Sequence, residues 1–159
     1  MDTTRLAHLV DKIHEHSFTL ACAESLTGGQ LAGTVVNIPG VSEIFRGGVV
    51  SYATDVKASV LGVSRERLAL TGPVDEQVAI QMARGACRVL NADIGISTTG
   101  VAGPGPHDGH PAGTVWIGIA GVVGEKAELY HFDGDRVSVR AQAVNAALEL
   151  LEGSVLRLP

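Results

Sequence analysis

Ser25, Tyr52 and Lys57 are polar residues at the ends of apolar runs, and their types can support nucleophilic and acid–base chemistry. Ser25 lies within Cys22-Ala23-Glu24-Ser25-Leu26-Thr27-Gly28-Gly29. Phe18 to Cys22 reads as a short buried strand, while Leu31, Ala32, Val35 and Val36 fall at helical spacing before Pro39-Gly40. Residues 24–29 therefore form a strand-to-helix turn with a serine at the crossing. Thr27 is expected to cap the helix, leaving the N–H groups of Gly28, Gly29 and Gln30 free beside Ser25. With the positive end of the helix dipole there, such a turn suits a phosphate or a developing oxyanion. A capped helix with a Gly-Gly start accounts for the same eight residues without any ligand.

Two further cations stand where helix electrostatics disfavours them. Lys57 is expected in the first turn of a helix capped by Thr54, and Arg136 in the first turn after Asp135. The helix dipole and a partly dry pocket would lower the Lys57 pKa and fit it to act as a neutral base. For Arg136 the expected compensation is an anion, either a protein carboxylate or a ligand phosphate. Arg140 follows at i+4, so both guanidinium groups can face one side. Tyr52 ends a strand five residues before Lys57, and Thr98-Thr99-Gly100 ends another. Ligands of open α/β sheets collect outside strand ends, so Ser25, Tyr52, Lys57 and Thr99 are expected to converge. Solvated residues at unrelated loop mouths would give the same spacing.

The elements that must position these groups follow from periodicity. Thr4 to His16 is an amphipathic helix burying Leu6, Leu9, Val10 and Ile13. Ile44 to Tyr52 is a strand, with Val49-Val50 buried and Gly47-Gly48 marking a bulge or close approach. A short helix covers Asp55 to Leu61. Asp75 caps a long helix burying Val78, Ala79, Met82, Ala83, Ala86, Val89 and Leu90. Ala92 to Thr99 is a strand, Gly100 to Gly113 a Gly/Pro loop, and Thr114–Ala120 with Lys126–Phe132 a hairpin through 121–124. Asp135 caps a last helix with Val137, Ala141, Val144, Leu148 and Leu151 inward. Strands alternate with helices early and pair as a hairpin late. That order predicts a single-domain three-layer α/β/α sandwich with a mixed β-sheet.

The 159 residues are 45% hydrophobic but only 4% aromatic, which gives a core of Val, Leu, Ile and Ala. The net charge of −5, with no run of Lys or Arg, argues against a nucleic-acid surface but permits a small anionic ligand. Neither a membrane-length apolar run nor a signal pattern is present, and Cys22 and Cys87 lie in apolar segments, so a cytoplasmic protein with reduced cysteines is expected. Gly100-Val101-Ala102-Gly103-Pro104-Gly105 lacks the GxGxxG order, no GxxxxGK[ST] occurs, and Ser25 is not in a GxSxG elbow. His14 and His16 fall on different helix faces, and His107-Asp108-Gly109-His110 reads as a flexible polar loop, so no required metal is expected.

Four stretches taken together resemble the CinA C-terminal domain family. They are Ala23 to Gly29, Gly47 to Tyr52 with Lys57, Thr98 to Pro104, and Gly134-Asp135-Arg136 with Arg140. The resemblance runs in order over nearly the whole chain. It implies a three-layer α/β/α fold, usually dimeric, without a cofactor. It also implies a nicotinamide-nucleotide amidohydrolase of the PncC type with Ser–Lys chemistry, which turns nicotinamide mononucleotide and water into nicotinic acid mononucleotide and ammonia. Larger relatives carry an extra N-terminal domain, so the chain resembles the stand-alone form. Two stretches depart from the family pattern: Gly105 to Pro111 in the long loop, and Pro73-Val74-Asp75-Glu76 at the long helix.

On this resemblance Ser25 is the nucleophile and Lys57 its base, with Tyr52 relaying a proton or orienting Lys57. The residues expected at the nucleotide substrate are Thr27, Gly28, Gly29, Gly48, Thr99, Gly100, Arg136 and Arg140. The oxyanion donors would come from the Gly28-Gly29 helix start or from the Thr99-Gly100 loop, and the phosphate would be held by Arg136 or Arg140. The alternatives are a non-catalytic nucleotide-binding or regulatory module, a structural interaction domain, and an amidase for another amide.

Overall fold

The computed structural model describes residues 1–159. Its centre is a five-stranded mixed sheet in the order β2-β1-β3-β4-β5, formed by β1 (Leu20–Glu24), β2 (Phe45–Val50), β3 (Ile94–Gly100), β4 (Thr114–Gly121) and β5 (Lys126–His131). β1 runs parallel to both β2 and β3, while β3-β4 and β4-β5 are antiparallel. The six helices are α1 (Thr3–Glu15), α2 (Gln30–Val35), α3 (Thr54–Ser59), α4 (Arg65–Thr71), α5 (Glu76–Leu90) and α6 (Arg136–Val155). Alternation along β1 divides the core. Leu20 and Cys22 pack with α1, α2 and α6 on one face, and Ala21 and Ala23 pack with α4 and α5 on the other. The result is the expected three-layer α/β/α sandwich. No helix is long and apolar enough to cross a membrane.

Register places the site. Glu24 pairs with Val50 on one side and Thr98 on the other, so the C-terminal ends of the three parallel strands finish at one edge. The bulge in β2 falls at Arg46, which the pairing skips, beside Gly47 at φ 141°. A side chain on Gly48 would press within 3.3 Å of the Ala32 β-carbon, so this glycine lets α2 approach β2.

Several local expectations are corrected. Val49 is only half-buried and Val50 is exposed, because β2 is an edge strand. Helix α4 was not expected; its Ser64 N-cap accepts from Arg67 N–H, but Leu68 is its only buried residue, too little for an apolar pattern. In α5, Val89 is exposed and Leu90 half-buried, in the last turn of the helix. In α6, Val137 is 72% exposed and Ala141 is exposed too. The buried arc runs instead through Val139, Ala143, Ala146, Ala147 and Leu150, with Val144, Leu148 and Leu151 inside it as expected. Small alanines carry this face, so apolar periodicity alone set its edge one stripe out. Asp75 and Asp135 do cap α5 and α6, accepting from Val78 N–H and Ser138 N–H.

Candidate active site

Glu24 is the last residue of β1 and is 1% exposed. Its Oε1 accepts from Thr27 Oγ1 at 2.6 Å and Leu31 N–H at 2.8 Å, and its Oε2 accepts from Ala32 N–H at 3.0 Å. The carboxylate thus holds the first turn of α2, satisfying a buried charge with donors that a helix start leaves unpaired. Thr27 is therefore not the cap: Gly29 takes the N-cap position at φ 101°. Nor do the N–H groups of Gly28 and Gln30 stand free, since they donate to the carbonyls of Ser25 (3.1 Å) and Thr27 (3.0 Å). The anion expected at this helix start is a residue of the chain itself.

Ser25 follows directly, 8% exposed, with its N–H bonded to the Thr98 carbonyl at 3.0 Å. The Thr98 hydroxyl lies 2.8 Å from that of Thr27, tying the turn to β3. Lys57 Nζ lies 2.9 Å from Ser25 Oγ, and it donates to the carbonyls of Ser51 (2.7 Å) and Tyr52 (3.2 Å). Only 1% of Lys57 is exposed, and burial pushes its pKa from 10.5 down to about 8. The helix dipole expected to contribute does not. Helix α3 is six residues long, its N-cap is Ala53 rather than Thr54, and Lys57 sits in its last turn.

This geometry decides what the amine can do. A neutral amine has two N–H bonds and one lone pair. The two carbonyls take the N–H bonds, which leaves the lone pair for the Ser25 hydroxyl. When Lys57 is protonated, all three N–H groups have acceptors and Ser25 becomes one of them. The pair can therefore pass a proton without rearranging.

Ser25, Tyr52, Lys57, Thr99 and Gly100 line one cavity of about 330 Å³, together with Leu26, Thr54, the 101–107 loop, Pro73, Val74 and Arg136. Its charged and imidazole groups are Lys57, Arg136 and His107, with no carboxylate among the lining residues. Arg136 donates through Nη1 to the Gly103 carbonyl (2.6 Å) and through Nη2 to the Tyr52 hydroxyl (2.7 Å). Its partners are neutral, so its charge is not compensated by a protein carboxylate. The Tyr52 phenol pairs with Arg136, and it is the Tyr52 backbone carbonyl that touches Lys57. Thr99 Oγ1 donates to the Pro73 carbonyl at 2.7 Å, fastening the rim.

Other expected residues lie behind the cavity wall. Arg140 turns away from Arg136 and donates through Nε to the Leu26 carbonyl (2.9 Å) and through Nη2 to the Thr27 carbonyl (3.0 Å). Thr27, Gly28 and Gly29 form the turn that Arg140 braces, and Gly48 lies under α2; none of them lines the cavity. Sequence reasoning missed Glu24, Ser51 and Thr98. A carboxylate closing an apolar strand just before a helix was a usable signal for Glu24. Ser51 acts through its backbone carbonyl, which no residue type announces.

The fold recurs in known proteins. A CinA superfamily protein from Klebsiella pneumoniae superposes with a TM-score of 0.92 at 33% identity, covering 99% of this chain and 100% of that one. A competence/damage inducible protein from Agrobacterium tumefaciens gives a TM-score of 0.89 at 33% identity, over 94% and 93% of the two chains. In sequence, a CinA-like protein of Frankia casuarinae is 48% identical over 145 residues, 91% of this chain and 34% of that protein. A putative competence-damage inducible protein of Bacillus subtilis is 39% identical over 150 residues, 94% of this chain and 36% of that protein. The chain thus spans about a third of the length of the curated relatives it matches. The model of the CinA C-terminal domain matches residues 2–155, which takes in every element from α1 through α6 and the whole cavity. By that match and these likenesses the chain belongs to the CinA C-terminal domain family.

Proposed function

We propose that the cavity is the active site of a serine–lysine amidohydrolase that deamidates nicotinamide mononucleotide to nicotinic acid mononucleotide and ammonia. The observation that carries the reading is a buried lysine, its pKa lowered by burial to about 8, that lies 2.9 Å from a serine hydroxyl with its remaining donors fixed on two carbonyls. In the proposed reaction Ser25 Oγ bonds to the amide carbon as its proton passes to Lys57 Nζ. Lys57 then returns that proton to the amide nitrogen, the C–N bond breaks, and ammonia leaves an acyl-Ser25 ester. Water loses a proton to Lys57 and attacks the ester carbon. The ester C–O bond breaks, Ser25 Oγ recovers the proton from Lys57, and the carboxylic acid is released.

The phosphate end of the substrate suits a cavity whose charged side chains are cationic. Arg136 is the side chain for it, because its charge faces only a carbonyl and a phenol. The test is ammonia release from nicotinamide mononucleotide, measured beside nicotinamide, nicotinamide riboside and simple aliphatic amides. Preferred turnover of the phosphorylated amide supports the reading. Turnover of none of them, with the nucleotide still binding, would replace it with a non-catalytic nucleotide-binding module. Preference for an unphosphorylated amide would leave an amidase with another substrate.

A further inference from the structure

The tetrahedral intermediate of that reaction carries a negative charge on the former amide oxygen, and the cavity wall must supply donors for it. The start of α2 is already filled by Glu24. Ser25 N–H donates to the Thr98 carbonyl, and Gly28 N–H donates to the Ser25 carbonyl. Leu26, in contrast, lines the cavity beside Ser25, and its N–H has no acceptor. In a trans peptide the N–H points opposite the carbonyl it is joined to. The Ser25 carbonyl faces Gly28, so the Leu26 N–H faces the other way.

Arg140 stands at the head of a relay to that group. Its Nη2 donates to the Thr27 carbonyl, which shares a peptide with Gly28 N–H. Gly28 N–H donates to the Ser25 carbonyl, which shares a peptide with Leu26 N–H. A charged donor polarises the first peptide, and each hydrogen bond strengthens the next. A second bond, from Nε to the Leu26 carbonyl, stops the turn from rotating. We propose that Leu26 N–H is an oxyanion donor and that Arg140 is the positioning residue that aims and polarises it. As Ser25 Oγ bonds the amide carbon, the carbonyl electron pair moves onto oxygen beside Leu26 N–H, and it returns when the C–N bond breaks.

The inference rests on the amidohydrolase reading, and its test separates the two. Replacing Leu26 by its α-hydroxy analogue turns the N–H into an ester oxygen and keeps the side chain. The kcat should fall roughly 10²–10³-fold with KM unchanged, the usual loss of one oxyanion donor. Arg140→Leu should lower kcat about tenfold, the share of the donor's effect owed to its aim and polarisation, and Arg140→Lys should recover part of that. Phosphonylation of Ser25 by a small fluorophosphonate, which forms a like oxyanion, should slow in step in each variant. A purely structural role would move melting temperature without this parallel. An undiminished ester variant on a reactive wild-type background would overturn the inference alone, even if Arg140→Leu proves too unstable to assay. An Arg140→Leu effect confined to KM for the phosphorylated amide would return Arg140 to phosphate binding. A wild-type protein inert to both amide and fluorophosphonate would remove the amidohydrolase reading and this inference with it.

Discussion

Lys57→Met should abolish turnover, and its stability relative to wild type should be more favourable at neutral pH than in alkali. Burial lowers the Lys57 pKa from 10.5 to about 8, so the folded protein holds this proton less tightly than the unfolded chain does. The sign follows from linkage. Between about pH 8 and 10.5 the unfolded chain binds the extra proton, and wild-type stability rises with pH across that window. Below about pH 8 the full penalty applies, on the order of 3 kcal/mol at about 1.4 kcal/mol per pH unit. Methionine carries no proton, so its variant lacks this slope. Methionine also leaves the Ser51 and Tyr52 carbonyls without the Lys57 donor, but that loss does not depend on pH. The informative quantity is therefore the difference in unfolding free energy between wild type and variant. It should shift by about 2 to 3 kcal/mol in favour of wild type between pH 7 and pH 10, as read from urea denaturation midpoints. The wild-type kcat/KM should rise with pH and level off above the same value of about 8, because both measurements report the free enzyme's lysine. A wild-type-to-variant gap that stays constant from pH 7 to pH 10 would refute the argument that burial is what tunes this amine.

Ser25→Ala should abolish ammonia release and fluorophosphonate labelling while moving the unfolding free energy by less than about 1 kcal/mol, since a turn hydroxyl contributes little packing; circular dichroism melts check the second half. Arg136→Gln should raise KM for the nucleotide about tenfold or more, as loss of a charge-assisted phosphate contact would, and leave nicotinamide riboside unaffected in steady-state kinetics. Glu24→Ala should cost about 3 kcal/mol in denaturant unfolding, because the Thr27 hydroxyl and the N–H groups of Leu31 and Ala32 lose their acceptor.

What the sequence disclosed and what it concealed divide along a physical line. Convergence of Ser25, Tyr52, Lys57 and Thr99 was legible, because a parallel sheet delivers strand ends to one edge: Ser25, Tyr52 and Thr99 stand at or just past such ends, and Lys57 is on the short helix that follows β2. The caps at Asp75 and Asp135 were legible because capping depends on a local side chain. The direction of Arg140 was not. Its spacing from Arg136 permits a shared face, but the carbonyls of Leu26 and Thr27 compete for it from another part of the chain. Of the two causes expected for the Lys57 shift, the partly dry pocket holds and the helix dipole does not. The dipole argument needs only the helix boundary, whereas burial depends on strands and loops distant in sequence packing around the amine.

The position of Glu24 changes how the charges of the site should be understood. A helix start beside a serine is an attractive place for a substrate anion, and a protein could leave it open. Here the chain fills it with a carboxylate that is 1% exposed and bonded by a hydroxyl and two N–H groups. A buried charge so well held does not move with ligand, so the turn that carries Ser25 is fixed before any substrate arrives. The same carboxylate takes the N–H groups of Leu31 and Ala32 that a second anion at that end of α2 would need. On the proposed function, a phosphate-bearing substrate would bind with its phosphate towards Arg136, whose partners are neutral, and with its amide end at Ser25 and Lys57. On that reading, orientation in the cavity would depend as much on where the chain has placed its own anion as on where it has left a cation without a carboxylate partner.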